Sequence, residues 1–151
     1  MKKLIVILSI FILLFGLNYV SAENEDASEP KLQLEVNLNE LIYQANEELK
    51  LLINLNNNSQ ERIQLNFSSA QIYEIVVKDW QNEVLYRWSE DKVFAQVLKD
   101  ISLAPEEKKT YEDNIDLSQF TAGVYFLEVE IKSLDKEFKP VEKIFFITPD
   151  L

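Results

Sequence analysis

The sequence predicts an all-β fold, an immunoglobulin-like antiparallel β-sandwich of about seven or eight strands. Three observations carry this. Apolar and polar residues alternate at period two in several short segments. Turn-forming clusters separate those segments, without the long amphipathic helices that a parallel βαβ sheet requires and without an internal repeat. Near the start of a late strand, Gly123-Val124-Tyr125 places a tyrosine where sandwich folds can hydrogen-bond a hydroxyl back across a corner.

The elements follow in order. Leu32, Leu34, Val36 and Leu38 lie between Gln33, Glu35, Asn37 and Asn39, the pattern of a half-buried strand. Residues 40–48 (ELIYQANEE) fit either a helical turn or a bulged connector. Leu49, Leu51, Ile53 and Leu55 alternate again, as do Ile63, Leu65 and Phe67, with a turn expected at Asn56-Asn57-Asn58-Ser59. Residues 71–79 and 83–88 form a hairpin around Asp79-Trp80-Gln81-Asn82-Glu83, in which Asn82 is best suited to a left-handed backbone.

Within that hairpin Tyr73, Ile75 and Val77 share one face, as do Val84, Tyr86 and Trp88, while Arg87 falls on the other side. Residues 93–101 fit helix or strand. Three more strands are expected at 108–116, 124–132 and 141–148, with Tyr125, Leu127, Val129 and Ile131 facing one way. Tyr125 is either a corner tyrosine or a core aromatic with its hydroxyl at the edge.

The chain opens with Lys2-Lys3, an apolar run from Leu4 to Leu17, and Val20-Ser21-Ala22 ahead of acidic residues. This is the layout of a secretory signal peptide over residues 1–22, with cleavage expected after Ala22 and a secreted or extracytoplasmic product. Residues 23–30 (ENEDASEP) read as an acidic flexible leader, and residues 31–151 as one β-sandwich domain. With no cysteine, neither a thiol-linked lipid anchor nor a disulfide is available, so stability rests on an ordinary hydrophobic core.

Twenty-six acidic side chains face 15 basic ones, a formal charge of −11, and losing Lys2 and Lys3 with the leader takes it to −13. Phosphate recognition depends on clustered Lys and Arg, so nucleic acid is not an expected partner, nor is a membrane once the leader is removed. The chain has no histidine, which with the missing cysteine excludes the usual zinc sites and catalysis by imidazole or thiol. Ser68-Ser69 lacks a glycine elbow, and Glu112, Asp113 and Asp116 lack the spacing of a calcium loop. No catalytic residue, metal or cofactor is expected, and the chain reads as a non-enzyme.

A set of residues within 67–125 is more specific. Phe67, Ser69, Gln71 and Tyr73, then Asp79 before a turn, then Arg87-Trp88-Ser89, followed by Phe94-Ala95-Gln96, Leu103-Ala104-Pro105-Glu106, Tyr111 and Gly123-Val124-Tyr125, resemble the BsuPI family of proteinase inhibitors. Residues 47–132 share the resemblance. The chain departs from the family pattern at Glu106 and Glu107, where a glycine is usual, at Ile115 in place of a tryptophan, and in a shortened segment from Leu117 to Ala122. The resemblance implies binding to a serine proteinase of the subtilisin sort.

The candidate contact loop is Ser89, Glu90, Asp91, Lys92, Val93 and Phe94, which leaves a strand end and offers a basic and an apolar side chain. The other reading of that loop is a solvated connection with Phe94 tucked under the sandwich. A second function class, a non-inhibitory binding module of the cell envelope, would be favoured by an outward aromatic patch including Trp80 and Phe126.

Overall fold

A computed structural model describes residues 31–149. The expected signal peptide at 1–22 and acidic leader at 23–30 lie outside the described residues. Ten strands form: β1 (Leu32–Leu38), β2 (Ile42–Gln44), β3 (Glu48–Asn57), β4 (Ile63–Phe67), β5 (Tyr73–Asp79), β6 (Val84–Arg87), β7 (Lys99–Leu103), β8 (Lys108–Asp116), β9 (Gly123–Ile131) and β10 (Val141–Thr148). The two beyond the expected eight, β2 and β7, come from the two segments whose sequence was ambiguous.

The strands make a β-sandwich. One sheet has the order β1-β3-β8, the other β2-β10-β9-β5-β6, and β4 pairs with β7 in a separate ribbon. Pairing is antiparallel except between β2 and β10, which run parallel. The exception arises because the chain crosses between sheets after β1, so that β2 joins the edge of the opposite sheet beside the last strand.

Period-two alternation places Leu49, Leu51, Ile53 and Leu55 of β3 opposite Tyr73, Ile75 and Val77 of β5 and Tyr125, Leu127, Val129 and Ile131 of β9, all buried. Each such aliphatic side chain contributes about 1.5–3 kcal/mol by leaving water. One end of the core holds an aromatic chain: Tyr43 meets Phe145 edge-on at 5.9 Å, Phe145 stacks on Tyr125 at 5.4 Å, and Tyr125 meets Phe120 at 5.4 Å. The Tyr125 hydroxyl donates to the Thr121 carbonyl at 2.7 Å, which makes it a corner tyrosine.

The ribbon β4–β7 closes the other end, burying Leu65, Phe67, Ile101 and Leu103. Asn57, expected in a turn, is the buried last residue of β3. Its amide donates to the carbonyls of Glu61 at 2.8 Å and Ala104 at 2.7 Å, fastening β3 to the ribbon, and the turn falls after it.

The hairpin between β5 and β6 turns as expected. Asp79 accepts the Asn82 amide at its carbonyl (3.0 Å) and the Gln81 and Glu83 amides at its carboxylate (2.9 and 2.8 Å), while Asn82 takes φ 67°. A second left-handed residue closes the turn from Ala104 to Glu107, where Glu106 has φ 58° after Pro105 and the Glu107 amide donates to the Ala104 carbonyl at 3.1 Å. This is where the resembling family has glycine, and a side chain here costs roughly 1–2 kcal/mol. Glu106→Gly is expected to raise stability by roughly 0.5–1 kcal/mol after the greater unfolded freedom of glycine is subtracted. Glu106→Ala, which keeps the Cβ, should give no such gain in urea unfolding.

Candidate functional site

Two consecutive residues of β5, Tyr73 and Glu74, organise one end of the sandwich. Tyr73 points between the sheets. Its ring lies 4.7 Å from Trp88 and 5.5 Å from Tyr111 of β8, and its hydroxyl donates to the Asp113 carboxylate at 3.0 Å. Burial, with Asp113 adding to it, pushes the Tyr73 hydroxyl well above the ordinary tyrosine range. The column continues outward, since Phe94 packs on Trp88 at 5.6 Å and Lys92 Nζ sits 4.6 Å from the same ring.

Glu74 points the opposite way, yet it is buried. Its carboxylate accepts from the Ser89 amide (3.1 Å) and hydroxyl (2.5 Å), from the Gln71 side-chain amide (3.3 Å) and from its neighbour's amide, Ile75 N (3.2 Å). Arg87 Nη1 lies 3.8 Å away. The sequence Arg87-Trp88-Ser89 is thereby explained. Trp88 enters the core beside Tyr73, and the residues on either side of it turn outward to Glu74.

The segment from Ser89 to Leu98 leaves this clamp without helix or ladder. Of the six residues read as a contact loop, Ser89 is fixed by Glu74, Lys92 lies over Trp88, and Phe94 tucks half-buried against Trp88. Glu90, Asp91 and Val93 face solvent, Val93 being 100% exposed. The next residue is fixed too, because the Ala95 carbonyl accepts the Ala70 amide at 3.0 Å. Beyond it Val97 is 59% and Leu98 84% exposed, immediately before Lys99 enters the ribbon opposite Phe67.

The motif residues therefore divide by position. Phe67, Ser69, Gln71, Tyr73, Arg87 and Trp88 gather at the base of the 89–98 loop, with Ser69 Oγ accepting the Gln71 amide at 3.2 Å. Asp79, Gly123 and Tyr125 serve the opposite end, where the Cβ direction of Gly123 faces the Tyr125 ring at 3.5 Å. Sequence reasoning missed Glu74, Val97 and Leu98. Glu74 was legible only as a charge inside a β-rich run, and the Val97-Leu98 pair as two adjacent apolar residues in a segment that fitted two structures.

The outer face of the five-stranded sheet carries a separate feature. Ile42, Phe146 and Val124 are cross-strand neighbours, as are Ile144 and Phe126, and Trp80 and Leu85 border Val124 in one shallow recess. Trp80 is 73% exposed, whereas Phe126 is half-buried. Among the described residues, no group of three or more His, Cys, Asp or Glu is placed to hold a metal ion, and no helix is long and apolar enough to cross a membrane. Asp113 and Asp116, two of the three acidic residues whose spacing does not match a calcium loop, accept from the Tyr73 hydroxyl and the Ser118 amide.

Two measurements follow from this geometry. Glu74→Ala removes the acceptor of the Ser89 amide and the partner of Arg87, and is expected to cost about 2–4 kcal/mol in urea unfolding and to speed hydrogen exchange at Ser89. Tyr111 has a buried hydroxyl without a hydrogen-bond partner among the described residues, and burial pushes its pKa up to about 12. The folded state thus holds that proton more tightly than the unfolded chain, whose tyrosines titrate near about 10. Its stabilising effect is complete below pH 10 and is lost as pH rises from about 10 through 12. Tyr111→Phe should flatten that alkaline decline in the urea midpoint without weakening the protein at pH 7.

Comparison with known proteins bears on the same residues. Similar folds include a CARDB domain from Pyrococcus furiosus, described in complex with di-metal ions (13% identity, TM-score 0.47, 80% of this chain and 96% of that one). They also include a cycloisomaltooligosaccharide glucanotransferase from a Paenibacillus species (6% identity, TM-score 0.50, 78% of this chain and 14% of that one). A third is the sporulation control protein Spo0M from Bacillus subtilis (13% identity, TM-score 0.48, 78% of this chain and 49% of that one). At such identities the likeness concerns the fold alone, and the chain spans only a minor part of the glucanotransferase. No curated protein matches significantly. The family model of the intracellular proteinase inhibitor BsuPI matches residues 36–136, a span that contains the Tyr73–Trp88 column, the Glu74 clamp and the whole 89–98 loop, and the chain belongs to that family.

Proposed function

We propose that this protein is an exported inhibitor of a serine proteinase of the subtilisin sort, acting by binding and without catalysis of its own. The observation that carries the reading is that six of the nine family-motif residues, Phe67, Ser69, Gln71, Tyr73, Arg87 and Trp88, lie at the base of one exposed loop. Inhibitors that present a loop to an enzyme cleft depend on a preformed backbone, because ordering a mobile loop on binding subtracts from affinity. Here Ser89, Phe94 and Ala95 are each fixed to the body of the domain.

Within the loop first read as the contact, Glu90, Asp91 and Val93 are the side chains free to touch an enzyme, and Ser89 and Phe94 act as its supports. The signal-peptide layout of residues 1–22 supports the export part of this reading, with a target outside the cytoplasm. The family description refers to an intracellular inhibitor, and in this reading the exported chain acts in a different compartment.

A second reading, a non-inhibitory module of the cell envelope, is favoured by the apolar outer face. Ile42, Trp80, Leu85, Val124, Ile144 and Phe146 are each between 39% and 73% exposed, with half-buried Phe126 among them, and neighbouring exposed apolar side chains mark interaction surfaces. Charged residues border it, since Lys78 lies across the strands from Phe126 and meets Glu128 at 2.8 Å, which suits a protein partner with an apolar centre and a polar rim.

Titration of the protein against a subtilisin-like and a chymotrypsin-like proteinase separates the two. The inhibitor reading expects stoichiometric loss of activity with the first enzyme. Undiminished activity with both enzymes at excess protein would leave the envelope module as the reading that stands. Sequencing the amino terminus of the exported protein should begin at Glu23.

A further inference from the structure

The exposed pair Val97-Leu98 sits between two anchored points of the 89–98 loop, Ala95 and Lys99, although neither residue belongs to the part first read as the contact. On one side the Ala95 carbonyl is held by the Ala70 amide at 3.0 Å, and the Gln96 side-chain amide donates to the Phe94 carbonyl at 3.3 Å. On the other, Lys99 pairs with Phe67 and begins β7. Residues 96–98 therefore bridge two fixed points. None of them has a positive φ, and the loop from 89 to 98 contains neither glycine nor proline.

An apolar side chain in water loses the stabilisation it would gain by burial, and scattered single cases need no explanation. Leu98 differs because both flanks of its backbone are pinned while its side chain is 84% exposed. The backbone bends at Val97 and thereby presents Leu98, and a protruding apolar side chain on an anchored backbone suits a proteinase cleft, which selects one side chain by a pocket. Val97 is less exposed, at 59%, and is branched at Cβ, which makes it the poorer occupant of a deep pocket.

We propose that Leu98 is the side chain that enters the primary specificity pocket, and that the target is a proteinase whose pocket is apolar. This rests on the inhibitor reading and specifies its contact. The supports Phe67, Ala70, Trp88 and Phe94 hold the segment in place without touching the enzyme.

Inhibition constants of the wild-type protein and of Leu98→Asp, Leu98→Lys and Leu134→Asp, against a subtilisin-like and a trypsin-like proteinase, test this. Leu134 is a control, 60% exposed in the β9–β10 connection at the same end of the sandwich. Leu98→Asp is expected to weaken inhibition of the subtilisin-like enzyme about 30-fold or more, the loss typical of a central anchor residue. Leu98→Lys should shift inhibition toward the trypsin-like enzyme, and Leu134→Asp should change neither constant. Unaltered urea midpoints would show that all variants fold, as expected for side chains outside the core. If the wild type inhibits and Leu98→Asp inhibits as well, the assignment of Leu98 is overturned while the inhibitor reading stands. If the wild type inhibits neither enzyme, the inhibitor reading itself falls and takes the assignment with it.

Discussion

The back-to-back placement of Tyr73 and Glu74 is the constraint on which the loop end of this sandwich depends. Adjacent residues of a strand face opposite ways, so this pair addresses two environments at once. Tyr73 joins the sheets through Trp88, Tyr111 and Asp113. Glu74 secures the chain just after β6 through Ser89 and Arg87. A register slip of one residue would exchange the two faces and lose both sets of contacts, which ties the position of the loop to the pairing of β5.

The two ends of the domain use different chemistry. The Tyr125 end is a neutral aromatic chain finished by one hydroxyl-to-carbonyl bond. The Tyr73 end combines an aromatic column, in which the Trp88 indole nitrogen and Tyr111 hydroxyl have no hydrogen-bond partner among the described residues, with a buried carboxylate accepting several donors. Packing holds the column and directed hydrogen bonds hold the loop. A buried carboxylate is costly unless its lone pairs are occupied, and here the occupants are the loop's own first residue and the flanking Gln71 and Arg87. The part of the family motif at this end is thus a local device for fixing where the loop begins, while Asp79, Gly123 and Tyr125 serve the other end.

Glu106 shows how far the fold tolerates departure from that pattern. The turn keeps its geometry with a left-handed glutamate, because the Ala104 amide donates to the Glu107 carboxylate at 2.6 Å and the Gln60 amide reaches Glu106 at 2.6 Å. Ile115, standing where the family has a tryptophan, is buried in β8. Both changes are absorbed away from the 89–98 loop.

The sequence by itself determined the sandwich, most strand positions, the Asp79–Asn82 hairpin and the residues that carry the family likeness. Period-two alternation and turn chemistry are local signals, and a strand with one wet face writes its orientation directly into its residues. Only the tertiary structure decided the parallel pairing of β2, the strand identity of residues 99–103, the corner role of Tyr125 and the burial of Asn57 and Glu74. Each of these depends on a partner distant in sequence. Ambiguous short segments take their state from the sheet edge they meet, and a polar side chain such as Glu74 is buried only because Ser89, 15 residues later, arrives to occupy it. The same holds for Leu98, whose exposure follows from anchors at Ala70 and Phe67 that no reading of its own neighbours contains.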